Sequence, residues 1–169
     1  MKANLIVNSG LEQIAKEELK EKINVDSKIF NDVVEFSTNI EDILKFVKRC
    51  QAGRRLIISL DQKKEVDSLA VSEKLSSYFN NGVKFKVVVE GVKGQENRTA
   101  IAKVIAGKIF AKLEEEGIEA NLELKNPELL VIIYFNGEEY FFGIDLIGKE
   151  LDSREYRVFT SSASFKGDL

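Results

Sequence analysis

The chain has no histidine, no tryptophan, one cysteine and one proline among its 169 residues. Without histidine, a Ser-His-Asp or Cys-His catalytic set is impossible. The single Cys50 excludes disulfides and ordinary zinc sites within the chain. The apolar runs are far shorter than the roughly 18 residues that a membrane helix needs, and no apolar segment follows Met1 to Asn4 as a signal peptide requires. These absences favour a soluble, cytoplasmic protein.

What the chain does have is a hydrophobic fraction of 44%, enough for the core of one domain or two small ones. Its net charge of -3 conceals an uneven distribution. Between Val83 and Leu113 seven basic residues face two acids, whereas from Glu114 onward thirteen acids face five bases. A local basic patch, rather than the total charge, indicates polyanion binding. The other interpretation is that charges on solvated helix faces are unevenly spread.

The first part of the chain predicts the order strand, helix, strand, strand, helix, strand, which is the ferredoxin-like plan and is complete by about Asp61. Ser9 with Glu12, and Thr38 with Glu41, predict a capping box at the start of each helix. The second helix is expected to bury one apolar face made of Ile40, Ile43, Leu44 and Val47.

The rest of the chain predicts further strands around one long helix. A glycine-bearing loop begins at Gly91, and the helix that follows it is expected to end near Glu116. The nearly unbroken apolar run from Leu129 to Phe135 predicts a strand covered on both faces. Asn136-Gly137 predicts a hairpin to a partner strand from Tyr140 to Leu146. The fold class is therefore α+β.

No catalytic motif can be assembled from these residues. The loop from Gly91 to Gly94 lacks the Gly-Lys-Ser/Thr of a nucleotide P-loop. The chain has no Asn/Asp-Pro-Pro-Tyr tetrad, by which amino-methyltransferases hold the target nitrogen, since Pro127 is its only proline. Cys50 is interpreted as a small buried residue in the last turn of the second helix. Whether the chain belongs to an enzyme stays open, but it has no catalytic motif of its own.

The loop and helix from Gly91 to Lys112 form the best candidate for a phosphate-binding surface. A helix N-terminus offers free amides and partial positive charge to an anion, and Lys93 and Arg98 bracket this one. The helix continues with Lys103, Gly107, Lys108 and Lys112. Gly107 either admits a nucleic-acid backbone or packs closely against a neighbouring element, at a helix-propensity cost of about 1 kcal/mol. For the lysines, the alternative is a merely solvated face.

Two further basic residues, Arg154 and Arg157, lie on either side of Tyr156 near the C-terminus. With the tyrosine they could form a stacking surface for unpaired bases. For Tyr156 itself, packing against the domain is the preferred interpretation.

The order and spacing of several short segments resemble the N-terminal half of THUMP-containing RNA methyltransferases that methylate guanine N2. Gly10-Leu11-Glu12 and Ala52-Gly53-Arg54-Arg55 resemble the start and end of that family's ferredoxin-like domain. The segments that resemble its THUMP module are Phe85-Lys86-Val87, Lys93-Gly94, Gly107, Asn126-Pro127 and Arg154-Glu155-Tyr156-Arg157. The resemblance covers almost the whole chain.

The resemblance implies a ferredoxin-like domain over residues 1–62, a THUMP domain over residues 63–158, and a linker over residues 159–169 toward a catalytic domain that this chain lacks. In that family the small domains capture RNA, often the acceptor stem and 3′-CCA end of tRNA. A Rossmann-like domain further along binds S-adenosylmethionine and transfers the methyl group. The implied partners are therefore tRNA and the missing catalytic domain, with no cofactor in this chain itself. RNA-binding roles fall to Lys93, Arg98, Lys103, Gly107, Lys108, Lys112, Arg154 and Arg157.

Three other hypotheses remain open at this point. A THUMP module could serve a different tRNA-modifying enzyme, such as a thiouridine synthase. Ferredoxin-like sheets also host many unrelated functions, so a small-molecule or protein-interaction module is the second alternative. The third is a complete, free-standing chain that acts with another protein.

Overall fold

A computed structural model of the protein describes residues 1–71, 73–145, 147 and 151. In this part the chain is mixed α+β, with eight strands, four α-helices and one short 3-10 helix at Val66–Ser68. It divides into two compact units: unit 1 contains Met1–Ile57 and Leu151, and unit 2 is the described part of Ile58–Gly148. None of the helices described is both long and apolar enough to span a membrane.

Unit 1 has the predicted order of elements. They are β1 (Lys2–Val7), α1 (Glu12–Ile23), β2 (Ser27–Phe30), β3 (Val33–Ser37), α2 (Ile40–Val47) and the first part of β4 (Gly53–Lys63). The strand order is β2-β3-β1-β4. Strand β3 is antiparallel to both β1 and β2, so that Leu5 and Ile29 lie on either side of Val34.

The core of unit 1 is formed where the helices meet the sheet. Leu19 of α1, and Ile43 and Phe46 of α2, are buried. The ring of Phe46 lies edge-on to Phe36 of β3, with centroids 6.2 Å apart. Burying each such side chain contributes about 1.5–3 kcal/mol, which fixes both helices to the strands.

The start of α1 differs from the predicted capping box. Leu11, rather than Ser9, is the N-cap, and it has no side-chain cap. The carboxylate of Glu12 instead accepts a hydrogen bond from the amide of Gly10 at 2.9 Å. Glu12 therefore accepts a hydrogen bond from a backbone amide before the helix, as predicted, but from that of Gly10 and not from that of Ser9.

The start of α2 also differs from the prediction. Its N-cap is Asn39 rather than Thr38, and the Asn39 side chain accepts a hydrogen bond from the amide of Asp42 at 2.9 Å. Asparagine is at least as favourable as threonine at this position. Thr38 is left to donate its hydroxyl to the Asp42 carboxylate at 3.2 Å.

The apolar face predicted for α2 is wrong at two of its four positions. Ile43 is buried as expected, but Ile40 and Leu44 are 41% and 54% exposed, and Phe46 is buried instead. An eight-residue helix with this many apolar positions allows two orientations. The edge-to-face contact of Phe46 with Phe36 favours the observed one.

Cys50 follows α2 instead of lying in its last turn, and it is buried. Burial, and then the nearby charge of Glu18, raise the pKa of its thiol to about 12. The thiol therefore stays protonated and unreactive at neutral pH, which agrees with a structural role.

Unit 2 continues from the second part of β4. Its further elements are α3 (Glu73–Ser76), β5 (Val83–Glu90), α4 (Gln95–Glu115), β6 (Ala120–Leu122), β7 (Leu129–Phe135) and β8 (Tyr140–Asp145). The strand order is β4-β8-β7-β5-β6. Strand β5 runs parallel to β6 and β7, whereas β7 and β8 are antiparallel.

The hairpin predicted at Asn136-Gly137 is confirmed. Phe135 pairs with Tyr140 directly across the turn, and their rings lie 4.5 Å apart. Residues 131–134 of β7 are all buried. Because neighbouring side chains of a strand point to opposite faces, this run is covered on both sides, as the sequence predicted.

Helix α4 packs its apolar stripe against β5. Ile105, Ile109 and Leu113 are buried in one core cluster with Phe85. Their spacing of four residues places them on one helix face. The opposite face of this 21-residue helix is therefore left for solvent or a partner.

The domain boundary predicted at residue 62 is not the same thing as the boundary between the two compact units. Strand β4 continues to Lys63, and the two compact units separate between Ile57 and Ile58. The domain bounds at residues 62 and 158 stay predictions.

Candidate nucleic-acid interface

The turn between β5 and α4 brings backbone amides to one end of a long helix. Gly91 and Gly94 have φ angles of +77° and +85°, which glycine adopts without steric cost. Helix α4 begins at Gln95 with Gly94 as its N-cap and no side-chain cap. Its first amide N–H groups and the positive end of its dipole therefore face the surface without a carboxylate or hydroxyl cap.

Two basic side chains lie at this end of α4, and a third follows along the helix. Lys93 lies exposed in the turn, Arg98 is partly exposed in the first turns, and Lys103 is exposed further along. Within the part of the chain that the structure describes, none of the three side chains has a salt bridge or hydrogen bond, and Arg98 Nε is buried without a partner. These three cations therefore form no ion pair with a described residue, and the one acid in the first turn of α4 is Glu96.

Gly107 lies on the exposed side of the same helix. A Cβ atom added there would have no described heavy atom outside its own helical turn within 4 Å. Close packing against a neighbouring element, one of the two explanations for this glycine, is thus not seen among the described residues. The other explanation, a surface kept low for a nucleic-acid backbone, stays a prediction.

Gly107→Ala should stabilise the protein, because alanine has the higher helix propensity and meets no obstacle here. The expected gain in the free energy of unfolding is about 0.5–1 kcal/mol, measured by urea denaturation. If the low surface serves RNA, the same variant should bind tRNA more weakly than the wild type does. A loss of stability would show that the site is not open.

Lys108 already has hydrogen-bond partners within the chain. Its Nζ donates hydrogen bonds to the backbone oxygens of Asp67, at 2.6 Å, and Leu69, at 3.2 Å. These bonds tie α4 to the segment that follows β4. A phosphate at Lys108 would have to replace two existing acceptors, so this lysine contributes first to the structure.

Lys112 is also engaged. Its Nζ lies 3.1 Å from a carboxylate oxygen of Glu116 and 3.5 Å from one of Glu115. Hydrogen bonding to Glu116 raises the pKa of the Lys112 ammonium. Its side chain is only 22% exposed.

Lys93 and Arg98 therefore lie at the start of α4. Lys103 and Gly107 are four residues apart on its exposed side, and Gly107 is just past the middle of the helix. The acceptors of Lys108 lie 41 and 39 residues away in sequence, so no local pattern could have revealed them. The partners of Lys112 follow it by three and four residues, a spacing that is visible in the sequence. Arg154 and Arg157 lie outside the described residues.

Two depressions on unit 2 bear on the small-molecule hypothesis, with volumes of about 640 and 430 Å³. Both are open, and charged or amide side chains line a large part of each. The first is lined by Ser76, Ser77, Phe79, Lys112, Glu115, Glu116 and Ile118. Ligand pockets are usually concave and mostly apolar, so neither depression favours that hypothesis.

Among the described residues, no three His, Cys, Asp or Glu side chains are placed to hold a metal ion.

Comparison with known proteins finds no matching family model and no match among curated sequences. Solved structures do match. A predicted N6-adenine-specific DNA methylase from Listeria monocytogenes has 23% identity and a TM-score of 0.70, over 98% of this chain and 45% of that one. SMU.472, assigned as a methyltransferase and solved with SAH, has 22% identity and a TM-score of 0.72, over 94% and 44%. A 4-thiouridine synthetase in complex with RNA and ATP has 14% identity and a TM-score of 0.56, over 85% and 40%.

At these identities the similarity shows the fold alone. The chain is a mixed α+β protein with the fold of a region found in two methyltransferase-like proteins and in an enzyme solved with RNA. It spans less than half the length of each of these structures. The activity, substrates and partners of any larger protein are therefore matters for proposal.

Proposed function

We propose that this chain is an RNA-binding module that captures tRNA by its acceptor stem and 3′-CCA end. It consists of a ferredoxin-like domain over residues 1–62 and a THUMP domain over residues 63–158, and it acts in the cytoplasm. It positions the RNA for an S-adenosylmethionine-dependent guanine-N2 methyltransferase domain that residues 159–169 lead to. The observation that carries the proposal is the set of cations without a described ion pair at and after the start of α4, where the helix has no side-chain cap.

The geometry suits a phosphate backbone. The free amides at the N-terminus of α4 can each donate to a phosphate oxygen. Lys93 and Arg98 supply full positive charges beside them, and Lys103 extends the charge along the helix. Gly107, next to Lys103 on the helix surface, lets the backbone lie close. Such contacts fix the position of an RNA without reading its sequence, which is the task of a capture module.

One alternative shares the same RNA-binding role. The similarity to a 4-thiouridine synthetase solved with RNA favours a module that serves tRNA thiolation instead of methylation. The similarity to a protein solved with SAH supports the methyltransferase. A protein that contains this chain and its catalytic domain would separate the two: transfer of a methyl group to guanine N2 of tRNA supports the first, and ATP-dependent formation of 4-thiouridine the second.

The direct test of the shared role is binding of the chain to tRNA, with and without its 3′-CCA end, over a range of salt concentrations. We expect binding that weakens steeply with salt, because released counterions drive it, and that weakens further when CCA is removed. Weak binding that is indifferent to salt would contradict the proposal and favour a small-molecule or protein-interaction module.

The double variant Lys93→Glu with Lys103→Glu should reduce tRNA affinity by about 10- to 100-fold at low salt, because two phosphate contacts become repulsive. The slope of log affinity against log salt should become shallower by about 1.4–1.8, the value for two lost contacts. Fluorescence anisotropy of labelled tRNA measures both quantities.

A matched control changes two exposed lysines of unit 1, Lys16 and Lys48, to glutamate. The net charge falls by the same amount, but neither lysine lies near α4 in sequence. The affinity of this control variant for tRNA should stay within about threefold of the wild type, since neither lysine belongs to the proposed contacts on α4. Equal losses in both double variants would show that only the total charge matters.

A further inference from the structure

The charges of α4 and its flanking turns fall into two halves. From Lys93 to Lys108 four basic residues face the single acid Glu96. From Lys112 to Glu116 one lysine faces three glutamates. The stretch thus carries mainly basic residues up to Lys108 and mainly acidic ones from Lys112 onward.

Glu115 and Glu116 form ion pairs with Lys112. Glu116 and Glu115 both lie within 4 Å of its Nζ, at 3.1 and 3.5 Å. Glu116 is further fixed by a hydrogen bond with Ser76, which, ahead of Lys112, holds the pKa of its carboxyl below the usual value. A phosphate that reached Lys112 would meet one positive charge already shared between two negative ones.

The two halves act independently under physiological conditions. Lys103 and Lys112 are nine positions apart, a rise of about 14 Å along the helix. The screening length at physiological salt is about 8 Å. The acids at the end of α4 therefore do not cancel the charge of Lys103, but they repel a phosphate in their own vicinity.

We propose that the RNA interface on α4 ends before Lys112, and that Glu115 and Glu116 set this limit. The RNA backbone then follows only the helix from Gln95 to about Gly107 and leaves the surface there. This inference rests on the proposed function and adds the direction and extent of the RNA on the site. It also removes Lys112 from the set of contacts that the sequence suggested.

The test is the double variant Glu115→Gln with Glu116→Gln, which removes both charges and keeps the size of the side chains. Because it frees Lys112, we expect tRNA affinity to rise about 3- to 10-fold and the salt slope to steepen by about 0.7–0.9, the value of one added contact. Adding Lys112→Gln to this double variant should abolish the gain. In the wild type, Lys112→Gln should leave the affinity unchanged, whereas Lys103→Gln should lower it.

The charge-matched control is Glu21→Gln with Glu41→Gln, two exposed acids of unit 1, for which no gain is expected. The inference is overturned if Lys112→Gln weakens the wild type as much as Lys103→Gln does, or if the Glu115 and Glu116 variant binds like the wild type.

Elution from immobilised heparin gives a second readout that needs no tRNA binding. If the chain fails to bind tRNA, the proposed function fails, but the masking of Lys112 is still tested. The Glu115 and Glu116 variant should then elute at higher salt than the charge-matched control, and Lys112→Gln should reverse the shift. Identical elution of the two double variants would overturn the inference by itself.

Discussion

Gly91→Ala should lower the free energy of unfolding by at least about 3 kcal/mol. Gly91 has a φ of +77°, where a residue with a Cβ is strained by about 1–2 kcal/mol. An added Cβ would also lie 1.9 Å from the carbonyl oxygen of Phe135. That oxygen belongs to the backbone of β7, which is paired on both sides, so it cannot move without disturbing the sheet. Thermal unfolding should show a fall in Tm of at least about 6 °C.

The control for this prediction is Gly82→Ala. Gly82 has a φ of +82°, yet a Cβ there would meet nothing within 4 Å. It carries the conformational strain without the collision, so the cost should be only about 1–2 kcal/mol. Equal costs at the two positions would mean that the turn after β5 moves away from β7 easily, and that it does not hold Lys93 and the start of α4 in a fixed place.

Glu18→Ala should destabilise unit 1 by about 3 kcal/mol. Glu18 is a buried acid whose carboxylate accepts hydrogen bonds from the amides of Gln51 and Ala52, at 3.0 and 3.1 Å, and from Lys22 Nζ at 2.6 Å. Removing it leaves two backbone donors without their acceptor, and Lys22 keeps only the carbonyl oxygen of Arg49. Urea denaturation measures the loss. The control is Glu17→Ala, an exposed neighbour whose only described partner is Gln13, for which a change below about 0.5 kcal/mol is expected.

The contribution of Glu18 should also depend on pH. Burial raises the pKa of its carboxyl, but hydrogen bonds from Lys22 and the two amides outweigh burial and bring the pKa below the usual 4.5. A carboxyl with a lowered pKa in the folded state stabilises that state above its unfolded pKa. This stabilisation should be complete above about pH 4.5 and be lost as the pH falls through the folded pKa. The difference in stability between the wild type and Glu18→Gln should shrink over this acidic range, and a constant difference would show that the charge is not what matters.

Helices α4 and α2 show how far the sequence predicts which face of a helix is buried. In the 21-residue α4, Ile105, Ile109 and Leu113 recur every four positions over about two turns, and they share the buried face. In α2 the same reasoning gave Ile40 and Leu44, which are exposed. A short helix has too few turns to define one face, so the contact between Phe46 and Phe36 decided its rotation.

The candidate site was also predictable from the sequence only in part. Its place at the turn before α4 was predictable from the glycines and from Lys93 and Arg98. Which lysines are available was not, since Lys108 is held by carbonyl groups some forty residues earlier in the chain. The vacant space beside Gly107 likewise depends on what packs nearby and not on its neighbours in sequence.

The sequence by itself determined the absence of histidine chemistry and disulfides, the order of the elements, the hairpin at Asn136-Gly137 and the basic character of α4. These follow from residue types and from spacings of two to four residues, which act through local backbone geometry. The tertiary structure alone decided the rotation of α2, the internal role of Lys108 and the openness of the surface at Gly107. Each of these depends on groups brought together from distant parts of the chain, where packing and hydrogen-bond partners select among arrangements that local preferences leave nearly equal.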